Sequence, residues 1–217
     1  KEGIFPGGHY IYKNSTRDYA VGQGAVRKVA KELGLRESNH SDLLYVMYLD
    51  DPQVLQAHRT RFTYGALIDN SQRKAIETPL LEANKKLNKP IEDPNVEEEF
   101  LQTPYVKGEL PSVNALVLNF VYTNGFISAL LQTFRIIPKM RKLAKEQGVS
   151  HPVIITTCSI PQSMCTHYTP LYENDQFFLG MDLPPVYEKT IPKQESMVDW
   201  DGVYADFKAI LFFLPLP

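Results

Sequence analysis

The sequence lacks the features that would place the protein in a membrane or on nucleic acid. It has no run of about 18 consecutive apolar residues, which is the length that a membrane-spanning helix requires. The apolar stretch 209–214 is followed by Pro215 and Pro217, and we interpret it as a buried strand or, if exposed, as an interface segment. The net charge is −2, from 23 basic and 25 acidic residues. No excess positive charge is available to attract a phosphate backbone, so we expect no nucleic-acid partner.

Signatures of common catalytic and cofactor sites are missing as well. No HExxH, GxSxG or Walker motif occurs, and residues 22–24 begin like a dinucleotide-binding fingerprint without its third glycine. Asp50 and Asp51 precede Pro52, and an Asp-Pro pair is more typical of a turn than of a catalytic carboxylate. The sequence therefore predicts no cofactor and no metal site.

Cysteine is scarce. The two cysteines, Cys158 and Cys165, do not form a CxxC motif, so a redox or zinc site is disfavoured. If residues 154–159 and 163–168 pair as a hairpin, the two sulfur atoms face each other across it. We then expect a disulfide in an oxidising compartment and free thiols in the cytosol.

Two sequons suggest the secretory pathway. Asn14 and Asn39 each precede a Ser or Thr by two positions, in predicted loops, and would accept glycans there. The chain begins at Lys1 rather than Met, from which we expect a removed leader, or a membrane anchor outside the given chain. The predicted localisation is therefore ER-associated or secreted.

A nine-residue motif occurs twice. RKVAKELGL at 27–35 returns as RKLAKEQGV at 141–149, after 114 residues (141 − 27), with six identical letters. Each copy lies at the end of a helical apolar pattern that a glycine terminates, Gly34 or Gly148. A duplicated unit is one interpretation, and the general similarity of amphipathic helices is the other.

The order of predicted elements around the two copies favours duplication. We predict strands at 10–12, 43–48 and 61–68 around a helix at 19–35, and strands at 115–122, 153–159 and 163–168 around a helix at 127–147 that Pro138 kinks or divides. This gives an α/β (α+β) fold with βαββ units at 9–68 and 113–171. The insertion 69–112 contains a helix at 73–87 and an exposed acidic run at 92–99, and the Pro-rich extension 172–217, with a helical patch at 200–208, packs on the domain.

Several stretches resemble one known family. LLYVMYLDDPQVL at 43–55 and RTRFTYGALI at 59–68 resemble the second and third strands of gyrase-inhibitor-like (GyrI-like) effector-binding domains. LPSVNALVLNFVYTNGF at 110–126, VIITTCS at 153–159 and MCTHYTPL at 164–171 resemble the second half of that domain. The resemblance covers about residues 9 to 171.

This resemblance implies a pseudo-twofold fold whose two sheets form a cleft at the seam between the repeats. In bacterial members the cleft binds lipophilic cations between aromatic walls, and a glutamate on the last strand balances the charge or hydrolyses strained rings. Thr166 stands at the glutamate position here, whereas Tyr168 matches the aromatic wall. Without that carboxylate we favour a protein that is not an enzyme.

The aromatic residues of the predicted strands are the candidate ligand-binding residues. A cleft of tyrosine faces suits a flat or cationic ligand, although strand propensity alone also concentrates tyrosine in strands. With the position of the absent glutamate, the predicted set is Tyr12, Tyr45, Tyr48, Tyr64, Phe120, Tyr122, Thr166 and Tyr168.

Three functions are compatible with these observations. The preferred one is a non-catalytic GyrI-like binding module for a protein partner or an apolar or cationic small molecule. The second is a secreted structural protein that self-assembles into homo-oligomers, through the Pro-rich tail and Phe212 and Phe213. The third is a cleft hydrolase that uses a carboxylate other than the missing one.

Overall fold

The computed structural model describes most of the first 183 residues. These are residues 1–16, 22–35, 43–51, 55, 59–68, 73–87, 104–121, 128, 131–159, 162–172 and 174–183. The chain divides into two compact units, 1–184 and 185–217, and every described residue belongs to the first. The predictions for Asn39, Tyr122, 92–99, 200–208 and 209–214 lie outside the described residues.

The described elements follow the predicted order. The strands are β1 Glu2–Phe5, β2 Gly8–Thr16, β3 Leu44–Tyr48, β4 Arg61–Ile68, β5 Val106–Leu110, β6 Val113–Val121, β7 Ile154–Ser159 and β8 Met164–Pro170. The helices are α1 Gly22–Glu32, α2 Arg73–Leu87 and α3 Ile137–Glu146; a π-helical turn, Gln132–Ile136, precedes α3, and a 3₁₀ turn spans Asn174–Phe178. No helix in the described part of the chain is long and apolar enough to cross a membrane.

Pro138 was predicted to kink or divide the second helix, and a π-helical turn lies directly before it. The backbone remains helical across this point, since the Ile137 N–H donates to the Gln132 carbonyl and Pro138 is the second residue of α3. The π-helical turn directly before it widens the backbone.

The strands form one antiparallel sheet with the order β1-β6-β8-β7-β3-β4-β2-β5. The three strands of the first repeat follow one another as β3-β4-β2, and those of the second as β7-β8-β6. The repeats meet where β3 pairs with β7, with Val46 opposite Thr156. The predicted α+β class and its duplication are confirmed, although the seam joins one continuous sheet rather than two.

The registers also show the duplication. Gly8 on β2 pairs with Leu110 on β5, and Val113 on β6 pairs with Phe5 on β1. Val113 occupies the position of Gly8 in the other repeat, 105 residues later (113 − 8), and Leu110 occupies the position of Phe5, also 105 residues later (110 − 5). The two pairs are therefore equivalent. The short strand that precedes each repeat therefore pairs at the edge of the other repeat. These two short strands were not among the predicted elements.

This exchange curls the sheet into a half-barrel. A flat sheet of eight strands is about 34 Å wide, at about 4.8 Å per strand. However, β1 and β2 lie near opposite ends of the strand order and are joined only by residues 6–7, and residues 111–112 join β5 and β6 in the same way. The second link contacts the end of β1, because the Ser112 hydroxyl donates to the Phe5 carbonyl at 3.1 Å.

The curled sheet has two apolar faces. On the outer face α1 packs against β3 and β4, and α3 packs against β7 and β8. The inner face holds a second cluster in which the rings of Phe5 and Tyr45 lie 6.1 Å apart. Because β1 and β3 are four strands apart in the sheet, that contact crosses the inside of the half-barrel. We call this inner face the interior.

Candidate functional site

The structure divides the predicted ligand-binding residues between the two faces. Tyr12 and Tyr45 belong to the interior cluster, and Tyr168 packs against it. Thr166 is two positions from Tyr168 on β8 and therefore shares its face. Tyr48 and Tyr64 belong to the cluster under the helices. The described members of the predicted set consequently do not form a single wall.

Phe120 also lies on the helix side. Its ring centroid is 6.4 Å from that of His167, which alternates with Tyr168 along β8 and points away from the interior. Among the described residues, four of the predicted set therefore remain as candidates for one site: Tyr12, Tyr45, Thr166 and Tyr168.

Aromatic packing fills the interior. Phe5 contacts Tyr168 edge to face at 5.5 Å as well as Tyr45, and the rings of Tyr10 and Tyr12 stack at 5.0 Å. Burial raises the pKa of the Tyr12 and Tyr168 hydroxyls, so both groups stay neutral at physiological pH. Phe5 was not among the predicted site residues, because it lies outside the predicted strands.

Residues 174–183, which we call the interior segment, complete this packing. Phe177 and Phe178 are 0% and 1% exposed, and the Phe177 ring contacts Phe5 at 5.7 Å. Leu179 and Met181 pack against the same cluster. The predicted cleft is thus filled by the chain itself. Two adjacent phenylalanines in a Pro-rich extension were the sequence signal for this contact.

Thr166 has a counterpart in the other repeat. Asn14 on β2 pairs with Thr63, and Asn119 on β6, 105 residues after Asn14, pairs with Thr166. The Thr63 hydroxyl is 3.2 Å from the Tyr10 hydroxyl, which also donates to the Tyr45 carbonyl at 3.4 Å. Burial raises the Tyr10 pKa far above its ordinary value, so this network is uncharged.

The one buried carboxylate among the described residues belongs to Asp50, at the end of β3. Arg61 binds it through three donors: the backbone N–H at 2.8 Å, Nε at 2.9 Å and Nη2 at 2.7 Å. These charge-assisted hydrogen bonds engage both carboxylate oxygens and fix the side chain against the start of β4. Asp50 therefore anchors the strand end, in agreement with the structural rather than the catalytic interpretation.

A second charged group lies under α1, on the helix side. Lys13, 1% exposed, pairs with Glu32 at 3.1 Å and lies 4.4 Å above the Tyr105 ring. The Tyr105 hydroxyl donates to the same Glu32 carboxylate at 2.6 Å, and burial together with this bond raises the Tyr105 pKa. Because Tyr105 also donates its N–H to Asn84 on α2, the network ties α1 and α2 together. No motif or spacing in the sequence indicates this network.

The structure contains the predicted disulfide but places a predicted glycan site in a strand. Cys158 and Cys165 are opposite each other in the β7–β8 ladder and form a disulfide. Asn14 lies within β2, with an exposed side chain, and not in a loop as predicted. The strand β2, predicted at 10–12, is longer than expected because its pairing with β4 continues as far as Thr16.

A small pocket lies outside the interior, between β2, β5 and α2. Its volume is about 70 Å³, and Ile11, Ile68, Glu77, Leu80 and Lys107 contribute to its lining. Pockets for drug-sized ligands have volumes of about 300 Å³ or more. This pocket therefore suits nothing larger than a few water molecules.

Solved structures of several other proteins resemble this chain at low sequence identity. A hydrolase from Listeria innocua is 11% identical with a TM-score of 0.42, over 78% of this chain and 90% of that chain. The C-terminal domain of EcmrR is 9% identical with a TM-score of 0.42, over 78% and 94%. SAV2435, solved with tetraphenylphosphonium, is 8% identical with a TM-score of 0.37, over 81% and 94%. Likenesses of this size assign neither ligand nor activity. No protein-family model and no curated protein matches the chain.

The buried side chain of His167, on the helix side of β8, is expected to make the stability of the protein depend on pH. Its ring is 0% exposed, its Nδ1 lies 2.8 Å from the Thr156 hydroxyl, and desolvation lowers its pKa to about 3. His167 binds a proton near pH 6.5 in the unfolded chain and only near pH 3 in the folded chain. Its contribution to the free energy of unfolding is therefore full above pH 6.5 and is lost as the pH falls toward 3. Between pH 6.5 and 4.5 we expect His167 to account for a loss of about 2 to 3 kcal/mol.

The check is urea unfolding of the wild type, His167→Gln and the control His151→Gln at pH 7 and pH 4.5. His167→Gln should remove most of this loss, and His151→Gln, whose side chain is half-buried, should retain it. Equal acid sensitivity of all three proteins would show that His167 does not titrate on unfolding in this range.

Proposed function

We propose that this chain is a non-catalytic binding module of the GyrI-like type, which binds an apolar ligand, a protein partner or a small molecule, in the interior of its half-barrel. The observation that carries the proposal is the position of the interior segment. Residues outside the duplicated unit insert two phenylalanine rings between aromatic side chains of the sheet. A surface that accommodates these rings has the shape and polarity to accommodate others.

The charged and polar side chains near the interior argue against the third predicted function, the cleft hydrolase. A general base must be a group that takes up a proton, but the buried carboxylate of Asp50 is held by Arg61. The family's glutamate position is Thr166, and its counterpart Thr63 is part of an uncharged network. In the described part of the chain the buried carboxylate is thus already balanced by an arginine, so we infer that apolar contacts dominate binding.

The disulfide supports the proposed secretory location. Cytosolic thiols are kept reduced, so a cross-strand disulfide is expected in the ER lumen or outside the cell. Pro138 in the second helix and Cys165 in the last strand are also the points at which the sequence resembles the testis-expressed ER-phagy receptor of animals, which has a membrane-anchored GyrI-like domain. We therefore propose an ER-associated or secreted protein.

The experiment compares two ligands of similar shape and different charge, tetraphenylphosphonium and uncharged triphenylphosphine oxide. Calorimetric or NMR titration should give the wild type similar dissociation constants for both, within about threefold, because the one buried carboxylate among the described residues is already paired with Arg61. Thr166→Glu should favour the cation by about tenfold, since a carboxylate about 6 Å away contributes about 1.4 kcal/mol after solvent screening. The preference should weaken as salt is added.

Thr166→Gln is the matched control, because a glutamine side chain has the size of a glutamate side chain without its charge. Since the ratio of two affinities is compared within one protein, the interior segment affects both ligands alike and cancels. The proposal is wrong if none of the three proteins binds either compound, or if Thr166→Glu leaves the ratio unchanged.

A further inference from the structure

The interior segment covers the proposed binding surface without being part of the sheet. Within the described part of the chain it pairs with no strand, and its own backbone bonds are local, from Leu179 N–H to Gln176 at 3.4 Å and from Met181 N–H to Phe178 at 2.9 Å. Its outer side, including Asp175 and Gly180, is exposed. It can leave the interior without breaking a hydrogen bond of the sheet.

We propose that the interior is a peptide-recognition groove for a protein segment with two adjacent phenylalanines followed by leucine, and that the interior segment occupies it in cis until such a partner displaces it. This inference rests on the proposed function and names its ligand class and its regulation.

The fit of the leucine supports this ligand class. A Cβ atom at Gly108 would lie 3.0 Å from Leu179 Cδ2 and 3.2 Å from Tyr12 Cε1. Because Gly108 has no side chain, Leu179 can approach the Tyr12 ring next to it. A larger residue at position 108 would narrow this space. Leu179 has φ of 53° and Gly180 of 80°, so the chain turns sharply after the phenylalanines and brings Met181 back to the cluster.

Arg61 supplies a contact that does not depend on the ligand's sequence. Its Nη1 donates to the Asp182 carbonyl at 2.8 Å, while Nε and Nη2 hold Asp50. Asp50 keeps the guanidinium oriented, so Nη1 presents its N–H at the rim of the groove. Any peptide backbone that emerges there offers an equivalent carbonyl.

The experiment converts the cis contact into a trans contact in the full chain. A protease site is inserted after Tyr172, which is 64% exposed, and the cut protein is titrated with a fluorescent peptide of residues 174–183. We expect the cut protein to bind this peptide about a hundredfold more tightly than the uncut protein, because a tethered segment competes at an effective concentration in the millimolar range. A peptide with both phenylalanines replaced by alanine is the control and should not bind.

Equal peptide binding by cut and uncut protein, or equal binding of the two peptides, overturns the inference. Circular dichroism confirms that the cut protein stays folded. If it does not, uncut Phe177→Ala takes its place, with about tenfold tighter peptide binding than the wild type expected and unchanged binding overturning the proposal. If triphenylphosphine oxide binds and the peptide does not, only the peptide inference fails. If neither binds the cut protein, the proposed function fails too.

Discussion

Replacement of Arg141 by methionine is expected to lower the free energy of unfolding by about 3 to 5 kcal/mol. The Arg141 side chain is buried, and it donates to the Tyr48 carbonyl at 2.8 Å, to the Leu49 carbonyl at 3.5 Å and to the Pro152 carbonyl. These carbonyls belong to the end of β3 and to the segment before β7. A single guanidinium on α3 therefore joins the two repeats at their seam, and methionine would leave buried acceptors without a donor.

The duplicated motif offers a matched control. Arg27 is the residue that corresponds to Arg141 in the first copy, 114 positions earlier (141 − 27), and it is only half-buried. We expect Arg27→Met to change stability by no more than about 0.5 kcal/mol, as substitutions at surface positions usually do. Urea unfolding of both variants checks the difference. A similar loss in the two proteins would show that Arg141 contributes through helix propensity or packing and not through the seam.

The two arginines also show what the repeat predicted and what it did not. Identical letters in RKVAKELGL and RKLAKEQGV identified two equivalent helices, because helix formation depends on local spacing that the motif contains. Whether the arginine is buried depends on the packing partner, which is absent from the motif. The exchanged strands β1 and β5 escaped prediction for a similar reason, since four or five residues with partners about a hundred positions away give no clear local pattern.

Only part of the predicted site lies on one face, because side chains alternate between the two faces along each strand. Tyr45 and Tyr48 are three positions apart on one strand, and an odd separation places them on opposite faces. Their spacing in the sequence is therefore sufficient to assign the two tyrosines to different faces of the sheet. The insertion of Phe177 and Phe178 was not predictable in this way, because it depends on contacts between an extension and a face that forms only when the sheet curls.

Replacement of Gly65 by alanine is expected to have the second large effect on stability, because Gly65 lies on β4 between Tyr12 and Tyr45. Gly65 is opposite both tyrosines in the ladder. A Cβ atom there would overlap the Ile11 carbonyl oxygen and would lie 2.7 Å from the Tyr12 Cα. Both atoms belong to the backbone of β2, so a rotamer change cannot relieve the clash, and the strands must separate. We expect a loss of at least about 4 kcal/mol in the free energy of unfolding, enough to prevent folding of a marginal domain.

Gly24→Ala is the matched control, because it adds the same methyl group to a different backbone. Gly24 lies in α1 with an exposed position and no atom within 4 Å of the added Cβ. Alanine there reduces the entropy of the unfolded chain and favours the helix, so stability should rise by about 0.5 to 1 kcal/mol. Thermal and urea unfolding of the two variants should thus differ in sign. If Gly65→Ala folds with wild-type stability, β2 and β4 are not in the close contact that curls the sheet around Tyr12 and Tyr45, and the interior does not form in that way.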